Sequence, residues 1–322
     1  MRYFLSAISI LLVLGCGQKG AENIHSSPSE SLSRADQAVS LLILGVAQDG
    51  GRPHIDCKAE CCLTQNLPTP SQNVVSLALT DPLQRQYVLF EATPDITAQL
   101  RMVTGILPGY SGLPSAVFLT HAHIGHYTGL MYFGKEAKGA DAVPVYAMPR
   151  MSAFLKNNGP WSQLTSEENI SLLPLAADSV VTVRSGARIT PFLVPHRDEY
   201  SETVGYHIEG PNKKALFIPD INKWDVWDVD ITTLINDVDM AFLDGSFYDE
   251  IELPGRNMED IPHPFIVESM ALFDVLPAEQ RNKIHFIHMN HTNPLLDSTS
   301  IQYREVINKG YGIARQGQQF IL

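Results

Sequence analysis

Three histidines that directly follow an apolar run restrict the folds open to this 322-residue chain more than any other feature. The apolar residues and the histidines together occupy residues 118–130, and His121, His123 and His126 stand at positions i, i+2 and i+5. On an extended segment, residues i and i+2 point the same way, and the start of a following helix returns the third histidine to their vicinity. A strand that ends in this spacing predicts a metal site. Three solvated surface histidines are the alternative.

Short runs of apolar and β-branched residues recur along the chain and predict strands. They cover 41–46, 74–79, 87–90 and 116–119, and then 180–183, 189–194, 204–208, 215–218, 240–243 and 284–287. Thr93 predicts the N-cap of a helix toward Met102, with proline at N1, and 264–276 has amphipathic helical spacing. Two sets of strands with interspersed helices predict an α/β fold of two sheets packed face to face with helices outside. Composition alone also allows other layered folds.

The N-terminus carries a targeting pattern. Residues 4–14 form an apolar run after Arg2, and the run is too short to span a membrane, which takes about 20 residues. We interpret residues 1–15 as a signal peptide. The run ends at Cys16 in a pattern that resembles the lipobox of bacterial lipoproteins, in which the cysteine is acylated and becomes the first mature residue. A buried apolar helix with a chance cysteine is the alternative.

The lipobox resemblance implies a domain organisation and a location. Residues 16–38 are rich in Ser, Gln, Glu and Gly and predict a flexible tether, and residues 39–322 predict the folded domain. A lipidated Cys16 would anchor the chain to a membrane of the cell envelope. Gly17 is not the aspartate that signals inner-membrane retention in enterobacteria, so we expect an outer-membrane or periplasm-facing location.

Charge and composition limit the partners of the folded part. The formal net charge is −12, which disfavours binding to nucleic acid or to anionic lipid, because both need a basic surface. With 44% hydrophobic residues, the chain can bury a sizeable core as one large domain or two fused halves. We therefore expect a small-molecule substrate and no nucleic acid. A bound metal would still allow an anionic substrate to bind despite the negative net charge.

The histidine run resembles the His-x-His-x-Asp-His motif of the metallo-β-lactamase superfamily, and three later residues match the other ligands of that superfamily in chain order. These residues are His196, Asp220 and His288, and each follows an apolar run. The resemblance implies a four-layer αββα fold. It also implies one metal bound by His121, His123, His196 and Asp220, and a second bound by His126, His288 and the shared Asp220.

One position departs from the motif, because Gly125 stands where the superfamily has an aspartate. Fewer negative ligands compensate less of the charge of a second dication, so we expect one tightly bound metal and a weak or absent second one. A single Lewis-acidic ion still lowers the pKa of bound water to about 7 and polarises a scissile bond. The departure is also compatible with altered chemistry.

Three cysteines, Cys57, Cys61 and Cys62, lie within six residues directly after a glycine-rich loop. In an exported protein they could form one disulfide with a spare thiol. Adjacent cysteines pair poorly and an odd thiol is a liability in an oxidising compartment, whereas zinc uses all three. His291 is the candidate fourth ligand of a closed Cys₃His structural zinc site, which we favour.

The glycine-rich loop, the cysteines and a C-terminal His-x-x-His resemble the branch of the superfamily that holds coenzyme PQQ synthesis protein B and the phosphodiesterase of the carbon–phosphorus lyase pathway. The resemblance covers residues 41–322 and is most specific at 242–248 and 286–296. His263 lies where these relatives have a histidine near the site. It is a candidate general acid, and a loop histidine without a role is the alternative.

The two relatives imply different reactions. Protein B of PQQ synthesis is regarded as an iron-dependent hydroxylase and usually lacks the full histidine motif, whereas this chain retains His121 and His123. We therefore predict a zinc-dependent hydrolase in which Asp220 and the ligand histidines hold a metal-bound hydroxide that attacks an ester, an amide or a phosphodiester. Two histidines and a carboxylate also suit iron, so an iron-dependent oxidase or hydroxylase is the first alternative. A catalytically inactive binding module is the second.

Overall fold

The computed structural model describes residues 38–63, 71–107, 109–110, 112–197, 199–253 and 255–322. The predicted signal peptide, Cys16 and the tether up to residue 37 lie outside these ranges. Within the described ranges, no helix has the length and apolar character that crossing a membrane requires.

The first of two sheets contains strands from the N-terminal half and one strand from the C-terminus. Its strands are β1 (Ser40–Gly45), β2 (Ser76–Asp81), β3 (Gln86–Phe90), β4 (Ala116–Phe118), β5 (Val143–Ala147), β6 (Ile170–Pro174) and β14 (Gln319–Ile321). Their order is β14-β1-β2-β3-β4-β5-β6. The pairs from β14 to β3 are antiparallel, and those from β3 to β6 are parallel.

The second sheet repeats this arrangement. Its strands are β7 (Val181–Thr182), β8 (Arg188–Leu193), β9 (Val204–Glu209), β10 (Lys214–Ile218), β11 (Met240–Asp244), β12 (Ile284–Ile287) and β13 (Gly312–Ile313), in the order β13-β12-β11-β10-β9-β8-β7. The pairs from β7 to β10 are antiparallel and those from β10 to β13 are parallel. Both sheets therefore combine an antiparallel half with a parallel half.

Alternate residues of the central strands pack into two different apolar layers. On β1, Leu41 and Ile43 belong to the core that also contains Phe217 of the second sheet, so they lie between the two sheets. Leu42 and Leu44 belong to a separate core on the outer face of the first sheet. This alternation follows from the two-residue period of a strand, and it explains why the whole strand is apolar.

Helices and short helical turns occupy the connections. The helices are α1 (Ile96–Ile106), α2 (Ile124–Tyr127), α3 (Pro149–Asn157), α4 (Trp161–Ser166), α5 (Ile231–Asn236), α6 (Ile266–Phe273), α7 (Ala278–Arg281) and α8 (Ile301–Asn308). Side chains of α1 and α3 fill the outer core of the first sheet, and those of α5, α6 and α8 pack on the core that the second sheet contributes to. The predicted α/β architecture with two facing sheets is confirmed.

Two helix boundaries differ from the sequence prediction. The first helix begins at Ile96, with Asp95 as its N-cap residue, and not directly after Thr93. The Thr93 hydroxyl accepts a hydrogen bond from the Asp95 backbone and donates one to Gln99, so it stabilises the turn that precedes the helix. The second predicted helix, 264–276, is shorter in the structure, where α6 spans Ile266–Phe273.

The topology brings the carboxyl ends of several strands to one edge of the molecule. His121, His196, Asp220, Asp244 and His288 come at or shortly after the ends of β4, β8, β10, β11 and β12. Ligand sites of parallel sheets form at such edges, where the loops that leave the strands converge.

Candidate metal centre

The first predicted ligand set converges on one oxygen atom. Oδ2 of Asp220 lies 3.3 Å from Nε2 of His121, 3.2 Å from Nε2 of His196 and 3.8 Å from Nδ1 of His123. All four donor atoms lie within 4.8 Å of one another. His121 and Asp220 are almost fully buried, so these donors face a small interior space and not bulk solvent.

The local backbone explains how three histidines of one segment reach the same space. His123 is extended and forms the N-cap of α2, and the His126 amide donates to the His123 carbonyl oxygen at 2.9 Å. His121 and His123 lie in the segment between β4, which ends at Phe118, and α2, and the short helix returns His126. The predicted helix that returns His126 is therefore present, whereas the preceding strand ends before His121.

A second group of donors lies against the first. Nε2 of His126 is 3.4 Å from Oδ1 of Asp49, and donor atoms of Asp49, His126 and His288 lie within 4.8 Å of one another. Oδ2 of Asp220 is 3.8 Å from His126 and 3.9 Å from His288, so this carboxylate is shared by both groups. His288 has φ 65°, a left-handed conformation that only a few per cent of non-glycine residues adopt.

Polar partners fix the orientation of most histidine rings. Nδ1 of His121 is 2.8 Å from the Thr120 hydroxyl, Nδ1 of His196 is 3.2 Å from the Asn222 side-chain oxygen, and Nδ1 of His288 is 2.9 Å from the Ser246 hydroxyl. Nδ1 of His126 lies 3.5 Å from the Glu91 carboxylate without a hydrogen bond to it. In each of these rings Nε2 is the nitrogen that faces the centre. Such outer partners orient the ligands of metal sites and set their tautomers.

The donor set fits a cation. Among the described residues, buried Nε2 atoms of His121, His126 and His288 have no hydrogen-bond partner, and neither has Oδ1 of Asp49. Buried polar atoms are seldom left in this state unless a ligand, an ion or water satisfies them. Imidazole and carboxylate donors in this number suit zinc or iron.

The electrostatics of the centre agree with this interpretation. Burial opposes ionisation of Asp220, yet His196, His263 and His288 hold the pKa of this carboxyl well below its usual range. Burial likewise opposes a charge on His126, but the carboxylates of Glu91 and Asp49 raise its pKa to about 10. The ionised carboxylates create a negative potential that favours a bound cation.

His263 lies beside the centre and is held by two carboxylates. Its Nδ1 is 2.8 Å from Oδ2 of Asp244 and 3.2 Å from Oδ1 of Asp220. Burial alone would lower the pKa of His263, and the charges of Asp244 and Asp220 raise it to about 9. The Asp244 carboxylate itself accepts from the Ile221 and Ser246 amides, so the pair is firmly positioned.

The cysteine cluster is a separate group. Sγ of Cys61 is 3.8 Å from that of Cys57 and 3.9 Å from that of Cys62, and His291 completes a set within 4.8 Å. Two sulfurs on a tetrahedral zinc with bonds of about 2.3 Å are about 3.8 Å apart. The three cysteines are free, so the alternative of one disulfide with a spare thiol does not describe this structure.

The structure brings together all the residues that the sequence predicted as ligands. It also adds residues that sequence reasoning did not assign to the centre: Asp49, Glu91, Thr120, Asn222, Asp244 and Ser246. For Asp49 and Asp244 a signal existed, because each follows an apolar strand at its carboxyl end, as Asp220 does. The other residues carry no comparable signal, since hydroxyl and amide side chains are common in loops.

The chain matches known proteins over most of its length. A family model described as beta-lactamase superfamily domain matches residues 86–289, more than half of the chain. Coenzyme PQQ synthesis protein B of Cupriavidus necator is 24% identical over 312 residues, which cover 88% of this chain and 99% of that protein. The protein of the same name from Pseudomonas syringae pv. tomato is 26% identical over 308 residues, covering 87% of this chain and 99% of that protein.

Solved structures share the fold. Zn(2+)-bound PqqB from Methylobacterium extorquens superposes with a TM-score of 0.74 at 23% identity, over 88% of this chain and 100% of that chain. A diphosphatase from the PhnP family superposes with a TM-score of 0.62 at 19% identity, over 88% and 97%. The predicted fold and family are confirmed, and the matched region includes the histidine run, Asp220, His263 and His288: the chain belongs to the metallo-β-lactamase superfamily.

Proposed function

We propose that this protein is a metal-dependent hydrolase that acts on an ester, an amide or a phosphodiester. One observation carries the proposal: Oδ2 of Asp220 lies within 3.9 Å of a ring nitrogen of five histidines. A carboxylate with imidazole donors on both sides is suited to hold Lewis-acidic ions. When bound, such an ion lowers the pKa of water to about 7 and polarises the scissile bond.

Different residues of the chain would have different roles around that ion. His121, His123, His196 and Asp220 would hold it. The side chain of His123 is 14% exposed, whereas those of His121, His196 and Asp220 are at most 2% exposed. We therefore infer that substrate approaches from the side of His123, where the side chains of Arg197 and Glu199 lie beside the ring.

His263 is the proposed general acid. Asp244 fixes its Nδ1, which leaves Nε2 as the nitrogen able to exchange a proton with a leaving group. A buried carboxylate that binds one ring nitrogen of a histidine keeps the ring in one tautomer. Asp244 would thus act as a positioning residue.

An iron-dependent hydroxylase is the second candidate. It is supported by the likeness to coenzyme PQQ synthesis protein B and by a donor set of histidines and carboxylate that also suits iron. For the cysteine cluster we propose structural zinc, because three thiols and one imidazole match the ligands of closed zinc sites.

Metal content and turnover together decide between the two candidates. The full chain, purified without chelators, is analysed for zinc and iron and assayed with bis(4-nitrophenyl) phosphate, 4-nitrophenyl acetate and, for oxidation, oxygen consumption. We expect zinc and hydrolysis. His121→Ala should remove metal from the centre and lower hydrolysis by at least about 100-fold, because changing even an outer partner of a metal ligand costs 10–100-fold.

The matched control is His207→Ala. His207 lies on β9 beside Glu209 and Asp237, away from the centre, so its removal should leave metal content and turnover unchanged. Iron that is lost with His121→Ala, together with oxygen consumption, would replace the hydrolase by the hydroxylase. Metal content that His121→Ala does not change would refute both and leave a binding module.

We also propose that lipidated Cys16 anchors the protein in the cell envelope. The proposal is supported by the lipobox-like sequence that ends at Cys16. Metabolic labelling with a palmitate analogue should mark the wild-type chain and not Cys16→Ser, and the wild-type chain should fractionate with membranes. Equal labelling of both chains would contradict the anchor.

A further inference from the structure

Position 125 has no room for a side chain, which explains why it is a glycine. It lies in the helical turn α2, where the backbone accepts any residue. A Cβ atom at this position would lie 2.2 Å from Oδ1 and 2.6 Å from Cα of Asp49. Contacts this short do not occur between non-bonded atoms, so the Asp49 residue occupies the space into which a side chain at position 125 would extend.

The Asp49 carboxylate is placed as a ligand in that space. Its Oδ1 is 3.4 Å from Nε2 of His126, and it forms a group within 4.8 Å with His126 and His288. Oδ1 of Asp49 and the Nε2 atoms of both histidines are buried and have no hydrogen-bond partner in the described part of the chain. His126 and His288 are fully buried. Three such atoms around one point need an ion, a ligand or water to satisfy them, and one cation between them would satisfy all three.

The backbone around Asp49 is tied to the segment that carries His288. The Gln48 amide donates to the Met289 carbonyl oxygen at 2.9 Å, and the Met289 amide donates to Val46 at 2.8 Å. The Gly51 amide donates to the Gln48 carbonyl oxygen at 2.8 Å, and this hydrogen bond closes a turn. Asp49 therefore projects from a turn that is hydrogen-bonded to the strand end beside His288.

We infer that Asp49 supplies the carboxylate that the histidine run lacks at Gly125, and that it completes a second metal site with His126, His288 and the shared Asp220. The site has two imidazoles and two carboxylates, so two negative ligands face a dication. The expectation of a weak or absent second metal assumed that the carboxylate was lost. In this structure the carboxylate comes from a different segment, which lies before the region 86–289 that matches the family model.

This inference deepens the proposed function, but metal binding can test it without catalysis. The probe is Zn²⁺ added to the full chain, which is then desalted and analysed by elemental analysis, with affinities measured against a chromophoric chelator. The wild-type chain should hold about three ions, one in the cysteine cluster and two in the centre. Asp49→Asn keeps the shape of the side chain and removes its charge. This variant should hold about two zinc ions, and its affinity for zinc at the second site should be at least about 10-fold lower.

Gly125→Ala tests the juxtaposition independently, because it leaves Asp49 in the sequence but places a methyl group in its space. It should lose the same ion as Asp49→Asn. The controls are Gly105→Ala, a helical glycine with no atom within 4 Å of the new Cβ, and Asp237→Asn, an exposed carboxylate. Both should bind zinc as the wild-type chain does.

The outcomes separate this inference from the proposed function. Asp49→Asn with unchanged zinc content and affinity would overturn the inference, and so would a wild-type centre that holds one ion. Two ions in the centre, one of them lost with Asp49→Asn, support it even if no ester or phosphodiester is hydrolysed, in which case only the proposed function fails.

Discussion

The metal centre and the cysteine cluster are built in opposite ways. The centre draws its donors from loops after strands of both sheets, and outer residues hold most of its histidine rings. The cluster takes three of its four donors from residues 57–62 and only His291 from elsewhere. A centre assembled from distant segments exists only after the sheets have formed, whereas a cluster of local cysteines can bring its own loop into order.

The two regions also differ in charge. In the centre the Asp220 carboxyl favours its ionised form, since surrounding histidines lower its pKa. In the cluster, burial raises the pKa of the Cys61 thiol to about 12 and lowers that of His291 to about 4. Neutral His291 is ready to bind metal, but the thiol must lose its proton, so metal binding at the cluster should release protons.

The largest effect should come from Asp220→Asn. This change removes the carboxylate that both groups of the centre share, and it leaves the cluster untouched. We expect loss of the ions of the centre, retention of the cluster zinc, and at least about 1,000-fold lower turnover, since a direct and shared ligand should cost more than an outer partner. Zinc content and 4-nitrophenyl ester hydrolysis measure both. If Asp220→Asn also empties the cluster, the two regions are not independent.

Sequence reasoning was most successful where ligand geometry is local. The spacing of His121, His123 and His126 determines their convergence through one strand end and one helical turn. His196, Asp220 and His288 were recognisable only because each follows an apolar strand in the order of a known motif. Asp49 was not recognised, because its approach to Gly125 depends on how β1 and the loop after it pack against α2.

The same limit applies to the fold. The ten predicted strands all match strands of the structure, and the four missed among the described residues are β5, β6, β13 and β14. Strand β13 has two residues and β14 has three, too few to show a period of two. Strand β14 forms by pairing with β1, which no local pattern near the C-terminus reveals.

Ser246→Ala should have the next largest effect and tests whether outer residues hold the centre. The Ser246 hydroxyl lies 2.9 Å from Nδ1 of His288, so its loss frees the ring of a ligand. We expect about 10- to 100-fold weaker zinc binding in the centre and no change in the cluster. Ser300→Ala, which removes a hydroxyl that caps α8, is the control for loss of a serine hydroxyl. Unchanged affinity in Ser246→Ala would mean that packing alone orients His288.

Cys57→Ser should act on stability more than on chemistry. Loss of one thiolate should empty the cluster and lower Tm by about 5 °C, since roughly 2 kcal/mol corresponds to a few degrees in a domain of this size. The ions of the centre should remain, with a modest fall in second-site affinity, because Asp49 lies on the loop that leads into the cluster. Calorimetry and zinc analysis measure the two effects. Wild-type zinc content in Cys57→Ser would show that the cluster binds no metal through this residue.

The smallest effect concerns Glu252, which supports the segment that the two regions share. Its carboxylate accepts from the Thr292 hydroxyl and the Tyr248 amide, beside His291. Burial raises the pKa of Glu252 to about 7. The native state therefore holds this proton more tightly than the unfolded state, and the stability it contributes is present below about pH 4.5 and is lost as pH rises through about 7.

Glu252→Gln should remove that pH dependence. Between pH 5 and pH 8, the free energy of unfolding of the variant should rise relative to the wild-type value by on the order of 2 kcal/mol, because the amide has no proton to lose. Denaturant unfolding at both pH values measures the difference, with Glu250→Gln as the exposed control. A difference that is the same at pH 5 and pH 8 would mean that Glu252 stays ionised throughout. The segment from His288 to His291 would then be held by its backbone contacts and not by a protonated carboxyl.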